Sequence, residues 1–82
     1  MITGAQVRMA RGHTKWSAKA LAEAAGVAES TIKRIEGVDG VPSTNAANLE
    51  KVRMALERAG VQFIPETGGG AGVRLRDKRE QA

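Results

Sequence analysis

Eighty-two residues supply one domain with a thin core, and the absence of Cys excludes disulfides, thiolate zinc sites and thiol chemistry. No apolar run approaches the roughly 18 residues of a membrane span, and the first twelve residues lack the pattern of a secretory signal. The formal charge of +4 favours a polyanionic partner: DNA, RNA or an acidic membrane surface.

Thr3-Gly4-Ala5-Gln6 has the form of a capping box, with the Thr hydroxyl accepting from the Gln6 amide and the Gln side chain reaching back. A first helix is expected from residue 4 to 11 or 12. Val7, Ala10, Arg11 and Thr14 fall on one face, so an arginine stands in an inward stripe. Either it snorkels at the edge, or it is buried and needs a carboxylate from elsewhere. Gly12-His13-Thr14-Lys15 is expected as a connector. His13 has no companion ligands, so it takes a loop or surface role, and neither a metal nor a cofactor is expected.

Ser17 is a good N-cap for a second helix over residues 18–25, with Trp16 before it and Leu21 after it placed as a hydrophobic staple. Alanine dominates this helix, which favours its formation and lets a neighbour approach closely. Gly26 stands where a left-handed residue ends a helix, and Val27 returns to the core. A third helix follows from residue 28 or 29 to 36. Ile32 and Ile35 face inward, leaving Ser30, Lys33 and Arg34 on or near the opposite face.

Residues 37–42 form a loop by their Gly and Pro content. Ser43, Thr44 and Asn45 are three consecutive candidate caps for a fourth helix. Leu49, Val52, Leu56 and Ala59 give that helix its stripe, and Gly60 is its stop. The period then changes. Residues 61–64 and 73–76 alternate as strands on either side of a glycine-rich connection. That connection lacks the Gly-Lys-Ser/Thr ending of a phosphate loop. Residues 77–82 read as a charged, flexible tail.

Residues 18–37 meet several spaced requirements at once: apolar Leu21, Ala25, Val27, Ile32 and Ile35, small Ala22 at the helix crossing, and Gly26 at the turn. LAEAAGV followed by STIKRIEG resembles the lambda-repressor/Cro-type (Xre-like) helix-turn-helix regulators of bacteria and phages. The resemblance spans about residues 6–60. It implies a mainly α, four-to-five-helix DNA-binding domain, here followed by a C-terminal two-stranded β element. It implies a cytoplasmic protein, nucleoid-associated when bound, and no enzymatic activity. No nucleophile–base pair argues otherwise.

The resemblance also implies a partner for Arg11, namely Glu36 at the end of the third helix. It places the third helix in the major groove. Ala28, Glu29, Ser30 and Arg34 are then the candidates for base contact. Ser17, Ala18, Lys19, Thr31, Lys33, Gly40 and Ser43 are the candidates for phosphate contact. The chain departs from the family pattern at Ala18, where Gln is frequent, and at Ala28, where a better cap is frequent. RNA binding lacks an aromatic stacking platform, since Trp16 and Phe63 are the only aromatics.

One such module has little contact area, so a homodimer on an inverted repeat is expected. Val61, Phe63, Ile64, Val73 and Leu75 are the residues expected to pair two copies. The alternative is a hairpin folded back on its own domain. The competing function is a DNA-binding antitoxin with a toxin, or a regulator with an antirepressor, as protein partner.

Overall fold

The computed structural model describes residues 1–65 and 70–75, with only the backbone of Leu75. Residues 66–69 of the expected connection at 65–72, the strand residue 76 and the tail 77–82 lie outside the described residues, as does the Leu75 side chain. Four helices, α1 (Gly4–Thr14), α2 (Ala18–Ala25), α3 (Glu29–Glu36) and α4 (Ala46–Arg58), precede two strands, β1 (Val61–Ile64) and β2 (Gly72–Leu75). The fold is mainly α with one small antiparallel sheet.

The capping box forms in full: Gln6 N donates to Thr3 Oγ1 (3.1 Å) and Thr3 N donates to Gln6 Oε1 (2.8 Å). Helix α1 does not stop at Gly12 but continues to Thr14, correcting the expected connector. A glycine inside a helix costs only about 1 kcal/mol, which lowers stability without ending the element. Lys15 ends it instead, in the left-handed region at φ 61°, its amide donating to Arg11 O. His13 therefore belongs to the last turn of α1, and it is exposed there.

Of the three candidate caps before α4, Asn45 does the work; its side chain accepts from Ala47 N (2.7 Å) and Asn48 N (3.3 Å). The stripe of α4 is Leu49, Val52, Ala55 and Leu56, with Ala59 displaced to the C-cap. Gly60 follows at φ 101°, a backbone conformation that L side chains resist. On the solvent side, Arg53 donates to both Glu50 and Glu57. These hydrogen bonds, foremost the one to Glu50, raise the Arg53 pKa, and the one from Arg53 lowers that of Glu50.

The core gathers Val7 and Ala10 from α1, Leu21, Ala22 and Ala25 from α2, Ile32 and Ile35 from α3 and the α4 stripe. Ile2 and Val61 close it at the two ends, and Trp16, Val27, Phe63 and Val73 pack against it half-buried. The strands pair with each other within the chain, Val61 opposite Leu75 and Ile64 opposite Gly72. They lie against α1 and α4. Val61, expected at a contact between copies, is a core residue of its own chain at 1% exposure. Its side chain is already removed from water by its own chain and has almost no surface left for a second molecule.

Candidate nucleic-acid interface

Helices α2 and α3 meet through a single tight turn. Gly26 adopts φ 75°, and the amides of Gly26 and Val27 both donate to Ala22 O at 2.9 and 3.0 Å. This arrangement satisfies the end of α2 and sends the chain off in a new direction within three residues. Ser17 caps the start of α2 by accepting from Ala20 N (3.0 Å). No such cap exists for α3: Ala28 offers no side-chain acceptor.

The third helix buries Ile32 and Ile35 completely and turns Glu29, Ser30, Lys33 and Arg34 to solvent. Those four positions form one exposed face, since residues three and four apart are helical neighbours. Ala28 is exposed at its start, whereas Thr31 is half-buried at its edge. Lys33 Nζ stands 3.5 Å from Glu29 Oε2, an open pair on the surface that is worth at most about 1 kcal/mol. Ser17 and Lys19 are exposed at the start of α2, with Ala18 half-buried between them. Gly40 and Ser43 are exposed in the α3–α4 loop. The Gly40 carbonyl is already engaged, accepting from Gly4 N at 2.9 Å.

Behind this face, Arg11 meets Glu36 in a bidentate pair, Nε to Oε2 at 2.8 Å and Nη2 to Oε1 at 3.0 Å. Its remaining nitrogen donates to Trp16 O (3.1 Å). The hydrogen bonds to Glu36 raise the Arg11 pKa further above its ordinary value, against the opposing effect of burial. Each nitrogen of the charge in the α1 stripe therefore donates a hydrogen bond, and no buried side-chain polar atom is orphaned among the described residues.

Arg8 was not among the residues singled out by sequence. It donates to Glu36 O (2.6 Å) and Val38 O (3.3 Å) and pairs with Asp39. The end of α3 and the loop after it are thus held by a cation placed where the helix carbonyls are unsatisfied. The available signal was the exposed arginine one turn beyond Gly4, but its acceptors are mostly backbone oxygens with no sequence signature.

A protein-family model described as "Helix-turn-helix domain" matches residues 3–61, more than half of the chain. No curated protein matches it. No described helix is long and apolar enough to cross a membrane. With Gly26 at its turn and α3 presented outward on the Arg11–Glu36 mount, the chain belongs to the helix-turn-helix domain family.

Proposed function

We propose that the chain is a sequence-specific double-stranded DNA-binding transcriptional regulator, a repressor that binds an inverted-repeat operator as a homodimer. The observation that carries this reading is the exposed face Glu29, Ser30, Lys33 and Arg34 on a helix braced from behind. Arg34 hydrogen-bonds a guanine in bidentate fashion, and Glu29 accepts from a cytosine amino group. Ser30 is a permissive contact, and Ala28 touches a thymine methyl. Thr31 and Lys33 reach phosphates, joined by Ser17, Ala18 and Lys19 at α2 and by Gly40 and Ser43 in the loop. Breaking the exposed Lys33–Glu29 pair on contact costs little.

Residues 1–60 act as the reading domain and 61–76 as the pairing element. Phe63, Ile64 and Val73 remain half-buried, so apolar surface is left for a second copy over the buried Val61. The described residues measure 35 × 32 × 19 Å, a size compatible with two copies side by side on half-sites about 34 Å apart, one helical turn of DNA. Sedimentation equilibrium of the full chain tests the dimer.

Footprinting on DNA upstream of its own gene tests the reading as a whole, and no protected site there or in a genomic selection at modest salt rejects it. Arg34→Ala is expected to weaken operator binding by about 1–3 kcal/mol and to relax preference at one base pair. If affinity instead drops equally on every sequence, Arg34 contacts phosphate.

The second reading, a DNA-binding antitoxin, has one observation in its favour. A groove of about 360 Å³, lined by Met1, Ile2, Gln6, Leu49, Phe63 and Pro65 and by Arg53 with its partners Glu50 and Glu57, contains no residue of α2 or α3. A protein partner there would leave the DNA-facing helix free. A toxin gene beside this one, with a complex formed from the two purified proteins, decides for it.

A further inference from the structure

Gln6 is the one buried polar side chain among the described residues, at 2% exposure. Its oxygen serves the capping box, accepting from Thr3 N (2.8 Å) and from the Thr3 hydroxyl (3.3 Å). Its amide nitrogen does something a cap does not require. It donates to Ile64 O at 3.0 Å and to Gly72 O at 2.9 Å. Ile64 and Gly72 are opposite each other in the sheet, so one side chain grips both strands at the same rung.

A capping box needs only an acceptor at this position, and a glutamate supplies one as well as a glutamine. Two donors are needed only by the hairpin. The residue type at position 6 is therefore dictated by the strands, 58 and 66 residues away. On the neighbouring backbone of the same turn, Gly4 N donates to Gly40 O and Ala5 N to Asp39 O. The first turn of α1 thus holds the hairpin through a side chain and the α3–α4 loop through its main chain.

We infer that Gln6 is a positioning residue that fixes the hairpin's orientation relative to α3, and through it the spacing of half-sites that a homodimer accepts. This rests on the homodimer reading above. The two hydrogen bonds go to carbonyls and are independent of strand side chains. Both are half-buried at the edge of the groove that Gln6 helps to line, and an amide of a side chain this covered is costly to leave unpaired.

Gln6→Glu separates this role from capping, because it keeps the acceptor for Thr3 and sets a carboxylate against two carbonyls. Thr3→Ala is the converse control, weakening the cap and leaving the amide on the strands. Amide hydrogen exchange is expected to accelerate at least tenfold at 61–64 and 72–75 in Gln6→Glu, with α3 unchanged. On inverted repeats whose spacer varies by single base pairs, wild type and Thr3→Ala are expected to prefer one spacing. Gln6→Glu is expected to bind an isolated half-site like wild type while losing that preference. Gln6→Met, which removes the donors without adding charge, provides the same readouts if the glutamate unfolds the helix.

A retained spacing preference, unchanged hairpin exchange, or an equal loss of half-site binding overturns the inference. If wild type itself is monomeric or indifferent to spacing, the homodimer reading fails and the spacing role fails with it. The exchange data then still report whether Gln6 holds the hairpin, so the two failures are told apart.

Discussion

Arg11→Met is expected to lower the unfolding free energy by about 3 kcal/mol, at the lower end of the cost of breaking a buried pair. The magnitude follows from an asymmetry in burial. The Glu36 side chain is 11% exposed and Arg11 is 30% exposed. Removing the arginine strands a carboxylate with little access to water, whereas removing the carboxylate leaves a guanidinium that water reaches and that still donates to Trp16 O. Glu36→Gln should therefore cost less than Arg11→Met.

A domain of this size has a total stability of roughly 4–12 kcal/mol, so the arginine variant loses a large share of it. At roughly 4–8 °C per kcal/mol, its Tm is expected to fall by about 12–24 °C. Urea titration and thermal melts of both variants check the order. Equal losses, or a larger one for Glu36→Gln, would show that hydration of the stranded group is not what sets the cost.

Gly4→Ala and Gly12→Ala make the same chemical change in the same helix and are expected to have opposite signs. A Cβ at Gly4 would lie 2.0 Å from Val38 O and 2.2 Å from Ile35 O, both main-chain atoms. Neither can swing away as a side chain would, so α1 must lift off the end of α3. Overpacking of this kind costs about 1–3 kcal/mol and sometimes more. It also pulls on the Gly4–Gly40 and Ala5–Asp39 hydrogen bonds. A Cβ at Gly12 meets nothing within 4 Å. That substitution is expected to stabilise the helix by roughly 0.5–1 kcal/mol, the ordinary difference between the two residues. Paired melts decide it, and a neutral Gly4→Ala would mean that α1 has room to shift.

The helical architecture was legible because its signals are local. Leu21, Ala25, Ile32 and Ile35 repeat at the helical period, Gly26 and Gly60 have the left-handed backbone that marks their turns, and Thr3 with Gln6 spells its own cap. The end of α1 differs from the expected connector at 12–15 because the residue that turns the chain is Lys15, whose left-handed backbone carries no sequence signal. Sequence places an arginine in an apolar stripe, which leaves it either snorkelling at the edge or paired with a carboxylate. Only the family resemblance named Glu36. Arg8 and the second role of Gln6 stayed invisible because their partners are mostly carbonyl oxygens, which every residue has.

The third hydrogen bond of Arg11, to Trp16 O, has a kinetic consequence. One guanidinium anchors both the end of α3 and the segment that leads into α2. The two parts proposed to meet DNA are thus set relative to each other before any encounter. Their loss of conformational freedom belongs to folding, and association gives up mainly overall translation and rotation. On the DNA-binding reading proposed above, binding is expected to be the docking of a preformed surface, similar in rate for related sites, with differences between sites expected in how long the protein stays bound.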